Sequence, residues 1–290
     1  MGLLPIAERI ARRALTARGV RSRWVDTSVA RLHVYDAPGL GRLPTVAVLH
    51  GISSSAAAFA PVVQRLRRRA RRVVAPDAPG HGFSDPPAAP LTPEALVEAM
   101  TELLDRELGE PSIVCGNSLG GAVALHYALR RPERVLGLVL TSPAGAAMEE
   151  AELEGLLSTF KMRSSAEARA FLARLHARPP WFAPLVAGDV VRQFSREVIT
   201  SLTAAVRVDH GFKPEELAAL RMPILLLWGR ADRLMPASNL EFFRRHLPPH
   251  AQIEEPEALG HCPHMDAPRF LADRIAAFAE AVVGHTVSDR

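Results

Sequence analysis

The chain has 290 residues, of which 48% are hydrophobic, so it can bury one sizeable core with an insertion but is short for two full domains. Lysine and arginine total 35 against 31 acidic residues, and the formal net charge is +4. Arginines form two local clusters, 9–23 and 65–72, which solvated helix faces explain, so we expect no nucleic-acid partner.

The cysteines and the N-terminal charges bear on cofactors and location. Cys115 and Cys262 are too few for a disulfide framework and lack the spacing of metal ligands, so we expect no metal and no other cofactor. Charges from Glu8 to Arg13 leave no apolar stretch for a signal peptide, and no run of about 18 apolar residues could span a membrane. The chain is therefore predicted to be soluble and cytoplasmic.

The N-terminal part predicts a helix followed by strands. Residues 5–18 form an amphipathic pattern with arginines on one side, which we expect to pack on the protein body or to contact a membrane surface weakly. Residues 22–27 and 29–35 alternate as a hairpin does, and the apolar run 44–49 predicts a strand that ends at His50.

The next part alternates between helices and strands. The predicted helices are 58–70, 92–108 and 119–130, and the strands that follow them are 73–76, 112–115 and 135–141. This alternation is typical of a mostly parallel sheet, in which ligands bind at the carboxyl ends of the strands.

The alternation stops between Gly145 and Lys213, where prolines break several short helices. We predict a helical cap over residues 145–213, inserted into a core domain made of residues 1–144 and 214–290. The core pattern then resumes with strand 223–228, helix 237–247, strand 251–255 and helix 267–283.

A serine stands between a predicted strand and a predicted helix in Gly116-Asn117-Ser118-Leu119-Gly120. The G-x-S-x-G pattern in this context is typical of a nucleophile turn. Because the chain crowds itself there, only glycine fits two residues before and two residues after the serine. The sequence therefore predicts Ser118 as a nucleophile.

Five motifs in order carry a resemblance to the α/β-hydrolase family over nearly the whole chain. They are HGISSS (50–55), PDAPGHGFSD (76–85), GNSLGG (116–121), GRADRLMP (229–236) and GHCPHMDAP (260–268). The resemblance implies an α/β fold with a mostly parallel eight-stranded sheet, flanking helices and an inserted helical cap.

The nucleophile needs a base and an acid that orients the base. The resemblance implies His261 as the base, in the loop after the last strand, with His264 as its rival. It implies Asp232, just after strand 223–228, as the acid. Asp209 in the predicted cap is a remote alternative, and we expect Asp266 to be a structural partner in the histidine loop.

Ester hydrolysis also needs donors for the negative charge that develops on the carbonyl oxygen. The backbone N–H of Leu119 follows the nucleophile, and the resemblance implies the N–H of Ile52 as the second donor. His50 is expected to brace the loop. The apolar stretch 179–186 is expected either to line an acyl pocket or to pack in the core.

These residues predict a carboxylesterase or monoacylglycerol-lipase-like enzyme that acts on a small-molecule ester. A serine at position 118 excludes the dehalogenase and epoxide-hydrolase branches, which use aspartate. Carbon–carbon bond hydrolysis and cofactor-free haloperoxidase activity remain alternatives, although Ser53 and Cys262 replace the glycine-rich and aromatic positions usual in the carbon–carbon hydrolases. A receptor that lost the chemistry is disfavoured by the intact triad.

Overall fold

The computed structural model describes residues 2–288, with side chains for residues 2–284. Eight strands form one sheet in the order β1-β2-β4-β3-β5-β6-β7-β8. The strands are β1 (Arg21–Asp26), β2 (Arg31–Pro38), β3 (Val46–Leu49), β4 (Arg72–Pro76), β5 (Ser112–Asn117), β6 (Val135–Thr141), β7 (Ile224–Leu227) and β8 (Gln252–Glu254). Strand β2 runs antiparallel to both of its neighbours, β1 and β4, and every other strand pair is parallel, so the predicted N-terminal hairpin and the mostly parallel sheet are confirmed.

Twelve α-helices lie within the described residues. They are α1 (Leu3–Thr16), α2 (Ala60–Leu66), α3 (Pro93–Glu107), α4 (Leu119–Arg130), α5 (Glu150–Ser158), α6 (Ser165–Leu175), α7 (Ala183–Phe194), α8 (Glu197–Ala205), α9 (Pro214–Ala218), α10 (Ala237–His246), α11 (Pro263–Asp266) and α12 (Pro268–Ser288). None of the helices in this part of the chain combines the length and apolarity that crossing a membrane requires.

The sheet is buried on both faces, which explains its nearly continuous apolar strands. Along β5, Val114 faces the core beneath α3 and α4, whereas Ile113 and Cys115 face the core beneath α2 and α12. Side chains alternate between faces along a strand, so each central strand contributes to both cores.

Two predicted helices begin beside prolines, and the first of them also ends earlier than predicted, at Leu66 instead of residue 70. The stretch predicted as helix 58–70 begins as a 3₁₀ turn (Ala56–Phe59) and becomes α2 where Pro61 sets a helical backbone angle near the start. The stretch predicted as helix 267–283 follows a separate short helix, α11, because the residue before Pro268 is disfavoured in the helical conformation.

Helices α5 to α8 fill the chain between β6 and β7, where the sequence predicted several short helices. The rings of Phe160, Phe171 and Phe194 pack against one another, one pair stacked and two edge-to-face, and connect α6 to α7. The N-terminal helix joins this group, since the Leu4 amide donates to an Asp189 carboxylate oxygen of α7 at 2.9 Å. The exact limits of the cap, residues 145–213, stay a prediction.

Candidate active site

Ser118 sits in a strained turn between β5 and α4, with φ 53° and ψ −119°. A Cβ atom on Gly116 would lie 2.1 Å from the Gly120 carbonyl oxygen, and one on Gly120 would lie 2.4 Å from the Leu49 carbonyl oxygen. Neither distance allows a side chain. The two glycines of the motif are therefore required by main-chain packing, as the sequence predicted.

The two predicted oxyanion donors lie next to this serine. Leu119 is the first residue of α4, where backbone N–H groups have no partner within the helix. A Cβ on Gly51 would lie 3.2 Å from the Ser118 Cβ, so the loop that continues into Ile52 passes directly beside the nucleophile turn. Ile52 and Ser118 line the same cavity.

Buried polar groups hold this loop in place. The His50 Nδ1–H donates to the Gly51 carbonyl oxygen at 2.8 Å, and its Nε2 accepts from the Ala78 amide at 3.0 Å. Burial lowers the pKa of His50, which keeps it neutral and able to accept. The Asp77 carboxylate accepts from the Ala56 amide at 2.7 Å and contacts His33 at 2.8 Å. His50 thus braces the loop as expected, while the part played by His33 was not predicted.

His261 and Asp232 form a buried pair. The His261 Nδ1 lies 2.8 Å from an Asp232 Oδ2, and the amides of Leu234 and Met235 donate to the other oxygen at 2.9 and 3.2 Å. Burial by itself raises the pKa of Asp232, but the His261 charge and these hydrogen bonds lower it below its ordinary value. An ionised Asp232 holds the proton on His261 Nδ1 and leaves Nε2 as an acceptor.

Asn117 links the nucleophile strand to the histidine loop. Its Nδ2 donates to the Thr141 carbonyl oxygen at 3.1 Å and to the His261 carbonyl oxygen at 2.9 Å. Sequence reasoning missed this residue. Its only signal was a polar amide at the end of an apolar strand, beside the predicted nucleophile.

The end of α6 is fastened to both loops of this site. Asp266 contacts the His176 Nδ1 at 2.7 Å and accepts from the amides of Gly260 at 2.8 Å and Ala177 at 3.1 Å. On the other side, the Arg233 amide donates to the Arg174 carbonyl oxygen at 3.1 Å. Asp266 therefore connects the histidine loop to α6, a wider structural role than the sequence indicated.

The rival residues lie in other surroundings. His264 is buried and stacked on Phe59 with ring centroids 4.0 Å apart, and burial lowers its pKa to about 3. Asp209 is exposed and pairs with Arg207 at 3.3 Å. Burial also raises the pKa of Cys262 and keeps its thiol protonated. None of these groups reproduces the buried contact between His261 and Asp232.

Ser118 and His261 line one cavity of about 340 Å³ at the carboxyl ends of the strands. Its walls come from the loop 51–58 and from α1, α6, α7 and α11. From the stretch 179–186, Phe182 and Val186 line it, whereas Trp181 is 84% exposed. This stretch therefore contributes to the cavity wall. A smaller cavity of about 120 Å³ also reaches Ser118 and Ile52.

The chain matches the alpha/beta hydrolase family over residues 46–274. It is 30% identical over 253 residues to a pimeloyl-acyl-carrier protein methyl ester esterase of Vibrio vulnificus, covering 82% of this chain and 95% of the relative. It is 29% identical over 260 residues to the sn-1-specific diacylglycerol lipase ABHD11 of Mus musculus, covering 83% and 82%.

A solved structure is also similar to this one. The crystal structure of a membrane phospholipase A superposes with a TM-score of 0.79 at 27% identity, covering 96% of this chain and 91% of the other. The sheet, the strained turn around Ser118 and the family match agree, and the match shows that the chain belongs to the alpha/beta hydrolase family.

Proposed function

We propose that the protein is a serine hydrolase that cleaves carboxylic esters, with Ser118 as nucleophile, His261 as base and Asp232 as the orienting acid. One observation carries the proposal: the buried contact between His261 and Asp232 lies beside the same cavity as a serine held in a strained turn. The names of the relatives, an esterase and a lipase, support ester substrates.

The reaction proceeds in two halves. His261 Nε2 takes the proton of Ser118 as the serine oxygen attacks the ester carbonyl, and the N–H groups of Ile52 and Leu119 stabilise the oxyanion. The imidazolium, balanced by Asp232, then gives the proton to the departing alcohol and leaves an acyl-enzyme. Water attacks this ester by the same route and releases the acid.

The cavity favours esters with an apolar part of medium length. The predicted cap, residues 145–213, supplies Phe171, Phe182 and Val190 to its wall. A volume of about 340 Å³ is near the lower end of the ~300–1,000 Å³ typical of ligand pockets, so it limits the length of the acyl chain. With p-nitrophenyl esters we expect kcat/KM to rise with acyl length to a maximum at medium length, about eight carbons, and to fall for longer chains.

We also propose a weak contact between residues 5–18, most of which lie in α1, and an anionic membrane surface. Ile6 and Ile10 are exposed on one side of this helix, and Ile10 is 60% exposed. Arg13 lies beside them, where it favours anionic headgroups. The similar phospholipase structure is named as a membrane protein, which supports this contact.

Covalent labelling tests the nucleophile directly. A fluorophosphonate probe is expected to label the wild-type protein and the Ser158→Ala control, whose serine is exposed on α5, but not Ser118→Ala. Ester turnover of Ser118→Ala is expected to fall by at least about 1,000-fold. Labelling and turnover that survive in Ser118→Ala would reject the proposed nucleophile.

A further inference from the structure

The N-terminal helix contributes to the cavity although it lies outside the family match at 46–274. Leu4, Ala7, Glu8 and Ala11 of α1 all line the cavity. Their spacing of three and four residues places them on one face of the helix. The bond from the Leu4 amide to Asp189 fixes this face against α7. The substrate therefore meets side chains from a part of the chain that precedes the matched region.

Glu8 is the only carboxylate among the described residues that line this cavity. The Ser55 hydroxyl and the Arg196 charge both favour the ionised form of Glu8, whereas the Asp77 charge disfavours it. Burial is the main cause that raises the pKa of Glu8, and repulsion from Asp77 adds to it. A carboxyl group in this position has hydrogen-bonding capacity left for a ligand, because Ser55 satisfies only part of it.

The cavity has a polar side and an apolar side. Ser53, Ser54 and Ser55 line it next to α1, and the buried Ser53 hydroxyl makes no hydrogen bond within residues 2–288. Phenylalanines from the helical segment line the rest, namely Phe160, Phe171, Phe182 and Phe194. A ligand that fills this cavity well is therefore amphiphilic, with hydrogen-bond donors at one end.

We infer that the polar side formed by Glu8 and residues 53–55 binds the hydroxyl groups of a polyol monoester, such as an ester of glycerol, and that Glu8 is a specificity-determining residue. This inference rests on the proposed ester hydrolysis. The apolar acyl chain lies against the phenylalanines, and the alcohol hydroxyls donate to the Glu8 carboxylate. An alkyl alcohol brings no second donor to that partly desolvated carboxylate, which penalises the alkyl ester.

The test compares two esters of one acid, 1-glyceryl octanoate and propyl octanoate, which differ in the two hydroxyl groups. We expect the wild-type protein to prefer the glyceryl ester. The ratio of the two kcat/KM values is expected to fall about 10-fold in Glu8→Leu, which has no acceptor. Glu8→Gln keeps the shape of the side chain and a neutral acceptor, so its ratio is expected to lie between the ratios of the wild type and Glu8→Leu.

Val190→Ala, on the apolar side, is the matched control. It is expected to lower kcat/KM for both esters and to leave their ratio within about twofold of the wild type. A ratio that stays unchanged in both Glu8 variants would overturn the inference even if Glu8→Leu were poorly folded, because Glu8→Gln is isosteric. Failure of the wild-type protein to hydrolyse either ester would instead reject the proposed function.

Discussion

The carboxyl edge of the sheet is held in a different way from the helices that cover it, namely α1 and α5 to α8 (the cover). At the edge, Gly116 and Gly120 touch main-chain atoms so closely that no methyl group fits. In the cover, Gly155 of α5 has no atom within 4 Å of an added Cβ, and helices attach through side chains such as Asp189. The proposed chemistry thus depends on main-chain packing with no room for an added methyl group, whereas Gly155 in the cover has that room.

Replacing His261 and His264, the two histidines of the 260–268 loop at this edge, tests which of them the proposed chemistry needs. His261→Ala is expected to lower kcat by at least about 1,000-fold, since the nucleophile loses its base. His264→Ala removes a ring stacked on Phe59, so it is expected to lower Tm while kcat stays within about tenfold of the wild type. Steady-state kinetics measures the change in kcat and thermal unfolding measures the change in Tm of each variant. Equal losses of kcat in both variants would remove the distinction between His261 and its rival.

Adding one methyl group to a glycine of each region allows a direct comparison of the two regions. Gly120→Ala is expected to lower the free energy of unfolding by about 3 kcal/mol, because the Leu49 carbonyl oxygen occupies the space of the new Cβ. Gly155→Ala in exposed helix α5 is expected to raise it by up to about 1 kcal/mol. Urea unfolding measures both values. A Gly120→Ala protein as stable as the wild type would show that the edge is more adaptable than its contacts indicate.

Asp266 connects the two regions, and Asp266→Asn tests how strongly they are coupled. The variant weakens the contacts to His176 and to the Gly260 amide, so the base is held less well. We expect kcat to fall by about tenfold with KM changed less. The Ser158→Ala protein is the control. Wild-type kcat in Asp266→Asn would mean that the histidine loop is positioned without α6.

The same variant has an expected dependence on pH. Burial raises the pKa of Asp266, but hydrogen bonds from His176, Gly260 and Ala177 outweigh it and lower the pKa below its ordinary value. The ionised group therefore stabilises the fold above the unfolded-state pKa of about 3.9, and this contribution is lost as the pH falls through the lower, folded-state value. The stability difference between the wild type and Asp266→Asn is expected to be constant near neutral pH and to shrink below about pH 4.

The smallest expected effect concerns the outer face of the cover. Ile10→Glu places a negative charge on the exposed side of α1, and it is expected to weaken binding to anionic phosphatidylglycerol vesicles several-fold. Turnover of a water-soluble ester is expected to change by less than twofold. Vesicle sedimentation measures the binding, with neutral phosphatidylcholine vesicles as the control. Equal sedimentation of both proteins with anionic vesicles would reject the contact through α1.

The local pattern of residues was enough to predict the order of strands and helices along the chain and the turn around Ser118. Each of these features depends on residues close together in the chain: apolar periodicity, a glycine at a crowded turn, or a proline at a helix start. The predictions of Asp232 and His261 needed the family's motif order as well. The structure then placed these two side chains in contact.

Other features required the tertiary structure. Asn117 meets the His261 carbonyl oxygen across 144 residues, and Asp266 meets His176 across 90. Glu8 reaches the cavity only because α1 packs against α7, and no pattern within α1 distinguishes a carboxylate that faces a substrate from one that faces water. Packing between distant segments decides which polar side chains become partners, and local periodicity carries no information about that choice.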